Sequence, residues 1–131
     1  MNLDKMETMA HMFTVAAMVV VGFQIALASG APWGDYAWGG RFPGRLPIGL
    51  RLASALSAVI VLFFALIIEI RAGYLFPEYH QLSMTLSWGV LGYCGLGTIM
   101  NAITPSKKER RLWLPIVTLL LVTSLAVVFS T

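Results

Sequence analysis

Four apolar blocks, each about as long as a bilayer is thick, constrain this sequence more than any other feature. They cover residues 9–29, 50–70, 81–103 and 112–129. A helix needs about 20 apolar residues to cross the hydrocarbon core, and it satisfies its own backbone hydrogen bonds there. The sequence therefore predicts an all-α membrane protein, a four-helix transmembrane bundle formed by a single domain over residues 1–131.

The composition supports this prediction. The chain is 58% hydrophobic and 11% charged, whereas a soluble domain carries roughly 25% charged residues. The formal net charge is +3, but the basic residues stand in short segments between the apolar blocks, which is typical of membrane topology. The single cysteine, Cys94, excludes an intramolecular disulfide and a CxxC motif. We expect the lipid bilayer, and no nucleic acid, as a partner.

The distribution of Lys and Arg predicts the orientation of the spans. Two basic residues, Lys5 and Arg71, fall on one side of the membrane. Seven fall on the other side: Arg41, Arg45, Arg51, Lys107, Lys108, Arg110 and Arg111. Short basic segments stay in the cytoplasm, so both termini are predicted to be extracytoplasmic. The first block is interpreted as a span and not as a cleaved signal peptide, because the residues before it lack an excess of positive charge.

The connection between the first two blocks is long and unusual in composition. Residues 30–49 contain six of the twelve glycines and three of the six prolines. Trp33 and Trp38 favour a folded loop, because indole rings prefer the headgroup level. Arg41 and Arg45 stand among glycines, which suits an anion or phosphate site made with backbone N–H groups. The favoured alternative is a loop on the membrane surface whose arginines contact lipid phosphates.

Two segments carry a resemblance to known sequences. The run APWGDYAWGGRFPGRLP, followed by Leu50 and Arg51, and the run NAITPSKKERRLW before the last block resemble small bacterial four-span membrane proteins of uncharacterised function. The resemblance covers most of the chain. It implies a multi-pass protein of the bacterial cytoplasmic (inner) membrane, and it implies no activity, cofactor or catalytic residue.

The third block has two distinct faces if it is helical. Its polar side chains fall within about 60° of one another: Ser83, Ser87, Cys94, Thr98 and Asn101. On the opposite side lie Gly89, Gly92 and Gly95, which would let a neighbouring helix approach closely. The polar face either lines a ligand or ion pathway or forms hydrogen bonds between helices, and the second alternative is favoured.

The second block carries a stripe of small residues: Ser54, Ala58, Ala65 and Ala72. Glu69 lies near the same face, so we expect it to point toward protein and not toward lipid. An acid inside a span is a functional candidate by default. Glu69 therefore joins the candidate pathway residues of the third block, Ser87, Cys94, Thr98 and Asn101.

Two histidines, His11 and His80, are expected at the same membrane boundary as Glu69 and Glu78. Two imidazoles and two carboxylates suit a metal site or a proton relay. The favoured alternative is that each histidine forms local hydrogen bonds at a helix end, because no local motif such as HExxH is present. No cofactor is identified. Gln24, in the middle of the first block, is expected to bond to a neighbouring helix.

No catalytic motif is recognisable, since GxSxG is absent and the single thiol has no histidine near it in sequence. An enzyme is therefore not favoured. The favoured function is a small membrane binding or transport unit, assembled as a homo-oligomer or with a partner membrane subunit. The alternatives are an accessory or structural membrane protein without a ligand, and a membrane-embedded enzyme acting on a lipophilic substrate. The fourth block is interpreted as a plain hydrophobic anchor.

Overall fold

A computed structural model describes residues 2–73 and 75–130 and contains four long helices. They are α1 (Leu3–Ala28), α2 (Ile48–Arg71), α3 (His80–Ile103) and α4 (Lys107–Phe129). Each is long and apolar enough to cross a membrane, and the described ranges contain no strand. The predicted fold class is confirmed, and the chain is a multi-pass membrane protein.

All four helices begin before their apolar blocks, and α1 and α4 do so by more than a turn because polar N-capping residues lie outside the membrane segments. α1 starts after Asn2, whose side-chain oxygen accepts a hydrogen bond from the N–H of Lys5 at 2.9 Å. α4 starts after Ser106, whose hydroxyl accepts from the N–H of Glu109 at 3.1 Å. Such caps satisfy backbone donors that the first helical turn leaves without partners.

The helices form a ring in chain order, with antiparallel neighbours and α4 closing against α1. We call the end that carries the α1–α2 and α3–α4 connections the basic end, and the other end, where Glu69 and Glu78 lie, the acidic end. Among the four neighbouring pairs, α1 and α2 have the most extensive contact and α2 and α3 the least. The bundle is therefore loosest along the α2–α3 seam.

The small-residue stripe of α2 is buried, as the sequence predicts. Ser54, Ala58, Ala65 and Ala72 are all buried, and Glu69 is 8% exposed. Small side chains let membrane helices approach closely, which fits the extensive α1–α2 contact. The orientation predicted for Glu69, toward protein, is confirmed.

The interpretation of the fourth span as a plain anchor is wrong. Thr123 and Ser124 of α4 are fully buried, and their hydroxyls donate to carbonyl oxygens of the preceding turn. α4 contacts both α1 and α3, so one polar stripe on it faces the bundle interior. Two hydroxyls among many apolar residues barely change the mean hydropathy, and the sequence pattern alone does not reveal this stripe.

The glycines of α3 do not mark a helix contact within the chain. A Cβ atom added at Gly89, Gly92 or Gly95 would meet no described atom within 4 Å. In the 18-residue apolar stretch that represents each span, 17% of the α3 span is buried, against 33% or more for the other three spans. The glycine side of α3 therefore lies on the outside of the described bundle.

Candidate functional site

The segment 30–47 folds into a compact structure, which we call the cap, at the basic end of the bundle. It contains two short 3-10 turns, Gly34–Tyr36 and Trp38–Gly40. The N–H of Gly34 donates to the carbonyl of Gly44 at 2.8 Å. A Cβ atom at Gly34 would collide with the carbonyl oxygen of Phe42, so only glycine fits at this crossing.

The cap is attached mainly to the first turns of α4. The indole N–H of Trp113 donates to the carbonyl of Tyr36 at 2.9 Å, and the hydroxyl of Ser106 donates to the carbonyl of Asp35 at 3.0 Å. Lys108 forms an ion pair with Asp35 at 3.1 Å. The ring of Phe23 in α1 stacks on Trp33 of the cap, with centroids 6.0 Å apart. These contacts hold the cap across the basic end of the helices.

The backbone amides beside Arg41 are used within the chain. The N–H of Gly39 donates to the carboxylate of Glu109 at 2.8 Å. The next two amides donate to carbonyl oxygens of the cap itself. An anion-binding role of the cap would therefore rest on the guanidinium group of Arg41 and not on a cradle of backbone donors.

The other three candidate residues of the cap, Trp33, Trp38 and Arg45, are exposed. Trp33 and Trp38 are 45% and 48% exposed. The guanidinium group of Arg45 packs beside Gly30, where a Cβ atom would lie 3.0 Å from Nε. This arrangement is compatible with a cap seated at the headgroup level, with indole rings and one arginine toward lipid.

A cavity of about 680 Å³ lies between the four helices and the cap. This volume is in the range of small-molecule sites. Its apolar walls come from all four helices: Phe13, Val20 and Phe23; Val61 and Phe64; Tyr93, Leu96 and Met100; Trp113, Val117 and Leu120. Cys94 and Asn101 of the predicted pathway residues, and Trp38 and Arg41 of the cap, also line it.

The exposure of several lining residues and the sparse contact between α2 and α3 indicate that the cavity opens along the α2–α3 seam. The rings of Phe64 and Tyr93 contact each other edge-on across this seam, with centroids 4.9 Å apart. On the basic side of that pair the lining residues Leu96, Met100 and Ile103 are all more than half exposed. A molecule dissolved in the membrane therefore has a lateral entrance between α2 and α3.

Three uncharged polar side chains, Gln24, Ser57 and Asn101, line the cavity at similar depth. The contacts His11–Glu69 and Arg51–Ala28 fix the antiparallel register of α1 and α2, which places Gln24 and Ser57 at the same level along the bundle. The Phe64–Tyr93 contact likewise places Ser57 opposite the turn that contains Asn101.

Two of these three groups have no hydrogen-bond partner in the described part of the chain. Asn101 donates to the carbonyl of Gly97 at 2.8 Å. Within residues 2–73 and 75–130, nothing hydrogen-bonds to the carboxamide of Gln24 or the hydroxyl of Ser57. The expectation that Gln24 bonds to a neighbouring helix is therefore wrong. Its amide lines the cavity instead.

A separate polar cluster lies at the acidic end, between α1 and α2. Oε1 of Glu69 accepts a hydrogen bond from the hydroxyl of Thr14 at 2.7 Å and lies 3.1 Å from Nδ1 of His11. Nε2 of His11 lies 3.5 Å from the carboxylate of Glu7, one turn earlier. Glu69 thus faces a neighbouring helix and is connected through His11 to an exposed carboxylate.

Arg71 is a buried residue whose role the sequence did not reveal. It is 3% exposed. Nη1 donates to the carbonyl of Met84 and the hydroxyl of Ser87, and Nη2 donates to the carbonyl of Val128, at 3.0 to 3.1 Å. In sequence it looks like a base flanking a span, and no local pattern shows that its side chain turns back into the bundle. It connects α2, α3 and α4.

The predicted pathway residues do not form one continuous path. Cys94 and Asn101 line the cavity, whereas Glu69 and Ser87 belong to hydrogen-bond networks at the acidic end. The hydroxyl of Thr98 donates to the carbonyl of Cys94 at 2.8 Å and lies 3.3 Å from the carbonyl of Val117, so Thr98 contacts α4. The polar face of α3 therefore serves helix contacts in one part and the cavity in another.

The histidines do not come together with other ligands into a metal site. Nδ1 of His80 lies 3.4 Å from the carbonyl of Ile70, while His11 contacts Glu69. Among the residues that the structure describes, no group of three or more His, Cys, Asp and Glu side chains is close enough to hold a metal ion.

Comparison with known protein families, with curated proteins and with solved structures gives no match to this chain.

Proposed function

We propose that this protein binds a membrane-soluble small molecule in the cavity at the basic end of the bundle. The observation that carries the proposal is an apolar cavity of about 680 Å³ lined by Gln24 and Ser57, two half-buried side chains without a hydrogen-bond partner in the described part of the chain. A polar group removed from water costs free energy unless it is hydrogen-bonded. A bound molecule that enters along the α2–α3 seam would supply both the apolar contact and the hydrogen bonds.

Binding has more support than transport. Transport would require a second opening at the acidic end, where Arg71 joins three helices and Glu69 joins α1 to α2. The lateral entrance at the basic end needs no such change. We place the basic end on the cytoplasmic side of a bacterial inner membrane, because seven of the nine basic residues lie there.

An accessory role without a ligand is the second candidate. It is favoured by the engagement of Ser87, Thr98 and Glu69 in contacts between helices. A membrane-embedded enzyme has less support. The thiol of Cys94 lines the cavity, but no histidine is among the described lining residues to act as its base.

The test compares two glycine substitutions that differ only in location. Gly97 lines the cavity, Gly22 lies on the outside of α1, and a Cβ atom at either position meets nothing within 4 Å. Gly97→Leu should direct an apolar side chain into the cavity, since its Cβ atom meets nothing, and Gly22→Leu is the matched control. Each protein is purified in mild detergent, and the intact complexes are weighed by native mass spectrometry.

We expect the wild-type protein and Gly22→Leu to retain a bound membrane molecule that Gly97→Leu lacks. The same spectra give the number of chains in each complex, which tests the predicted homo-oligomer. Equal occupancy in all three proteins would refute binding in this cavity and favour the accessory role.

A further inference from the structure

We infer that the bound molecule is an anionic glycerolipid, with its phosphate beside Arg41, its glycerol region beside Gln24 and Ser57, and an acyl chain between α2 and α3. This inference rests on the proposed function and adds the chemical class of the ligand. It follows from the order in which charged, polar and apolar side chains succeed one another along the cavity.

The outermost part of the cavity is suited to an anion. Arg41 is exposed and lines the mouth, and its guanidinium has no hydrogen-bond or ion-pair partner in the described part of the chain. Glu109, the acid nearby, already accepts the N–H of Gly39. The other acid at this end, Asp35, is paired with Lys108. A guanidinium group binds phosphate oxygens through two parallel hydrogen bonds, so Arg41 suits a phosphate headgroup.

The next part of the cavity is polar and uncharged. Gln24, Ser57 and Asn101 lie at similar depth, inward from Arg41. The carboxamide of Gln24 can donate and accept, and the hydroxyl of Ser57 can do the same. Ester carbonyls and glycerol oxygens offer matching groups, whereas the two charged residues that line the cavity, Arg41 and Glu109, belong to the cap and to the first turn of α4 at the basic end.

The remainder of the cavity is apolar and elongated. It extends along α1 from Gln24 past Val20 to Phe13, and along α2 past Val61 to Phe64. At the helical rise of 1.5 Å per residue, the α1 part spans roughly 16 Å. This length and the lateral entrance suit an acyl chain that enters from the surrounding lipid.

Charge distinguishes an anionic lipid from other lipids with the same chains. A choline headgroup would bring a fixed positive charge next to Arg41 and the other bases of this end, which is unfavourable. A diacylglycerol offers no phosphate to Arg41. Free inorganic phosphate has no apolar group that could contact the apolar part of the cavity.

The experiment measures lipid selectivity of the full chain in mild detergent by native mass spectrometry. Phosphatidylglycerol, phosphatidylcholine and diacylglycerol with identical acyl chains are compared, with inorganic phosphate as a competitor. The variants are Arg41→Gln, Gln24→Leu, the cavity-filling Gly97→Leu and the control Arg111→Gln, which removes an exposed charge of the same end outside the cavity.

We expect the wild-type protein to bind phosphatidylglycerol about tenfold more tightly than the other two lipids, since diacylglycerol has no phosphate for Arg41 to bind and phosphatidylcholine brings a positive charge next to Arg41. Arg41→Gln should lose this preference and Arg111→Gln should keep it. Gln24→Leu should weaken phosphatidylglycerol and diacylglycerol by similar factors, because both lipids carry the glycerol esters.

The inference is overturned if Arg41→Gln and Arg111→Gln lose the preference equally, because general surface charge would then explain it. It is also overturned if the wild-type protein shows no preference, or if inorganic phosphate displaces the lipid. If Gly97→Leu abolishes binding of all lipids while Arg41→Gln changes nothing, the cavity binds lipid and only the assigned class is wrong. If Gly97→Leu leaves lipid binding unchanged, the proposed function itself fails.

Discussion

The hydroxyl of Thr14 donates a hydrogen bond of 2.7 Å to the carboxylate of Glu69 and so joins α1 to α2 near the acidic end. The same hydroxyl also lies 3.1 Å from the carbonyl of Ala10. The carboxylate is buried between the helices, where a lost donor is not replaced easily by water. This contact explains how an acid is accommodated inside a span.

Replacement of Thr14 by valine tests the contribution of this hydrogen bond. Thr14→Val keeps the shape of the side chain but leaves the carboxylate of Glu69 with fewer hydrogen-bond donors. We therefore expect the free energy of unfolding to fall by about 0.6 to 1.7 kcal/mol, the range for side-chain hydrogen bonds between membrane helices. The measurement is the folded fraction during titration of a mild detergent micelle with a denaturing detergent. Thr118→Val is the control, since Thr118 is exposed and bonds only within its own helix. Equal stabilities of the two variants would contradict the prediction.

Removal of the buried guanidinium of Arg71 should loosen the acidic ends of three helices. Arg71→Leu deprives two carbonyls and one hydroxyl of their donor, and a buried polar group without a partner costs about 1 to 3 kcal/mol. We expect a clear loss of stability in the same titration. Arg71→Lys should restore only part of the lost stability, because an ammonium group cannot reproduce the planar arrangement of N–H donors in a guanidinium group.

Ser87→Ala provides the comparison for Arg71. It removes one of the partners and leaves the two carbonyl contacts of the guanidinium in place. We therefore expect a smaller effect than for Arg71→Leu. If Arg71→Leu were as stable as the wild type, apolar packing would be compensating for the lost hydrogen bonds, and the connecting role assigned to Arg71 would be wrong.

Hydropathy and helical periodicity predict the four spans and the burial of Glu69. They succeed because both depend on the sequence of a single helix: length decides the span, and angular position decides the face of Ser54, Ala58 and Ala65. The identity of the helix on the other side of that face is a tertiary property. Periodicity therefore does not identify Thr14 and His11 as the partners of Glu69.

The cavity depends on features that no single segment carries. Gln24 and Ser57 are 33 positions apart in the sequence and line the same cavity only through the register of α1 and α2. The looseness of the α2–α3 seam depends on how all four helices fill space together. For the same reason, the glycines of α3 suggest a helix contact that the chain itself does not make.

The orientation of the bundle stays a prediction that labelling can test. In a Cys94→Ala background, single cysteines are placed at Ser130 and Lys107, which lie at opposite ends of α4. A membrane-impermeant maleimide applied to intact cells should label Ser130→Cys and spare Lys107→Cys, because the basic end is predicted to face the cytoplasm. After lysis both should react. Labelling of Lys107→Cys alone in intact cells would reverse the assigned orientation.

Gly34 offers a way to unfold the cap while leaving the helices intact. A Cβ atom at this position would collide with the backbone of Phe42, which cannot move without breaking the Gly34–Gly44 hydrogen bond. We expect Gly34→Ala to release the cap from α4 and to expose it to proteolysis, with little change in helix content. Since Trp38 and Arg41 of the cap line the cavity, occupancy by the bound molecule should fall as well.

Gly49→Ala is the control, because a Cβ atom there meets nothing within 4 Å and the residue is already helical. Limited proteolysis, circular dichroism and native mass spectrometry together measure the three effects, and retention of the bound molecule after release of the cap would show that the helices alone form the site.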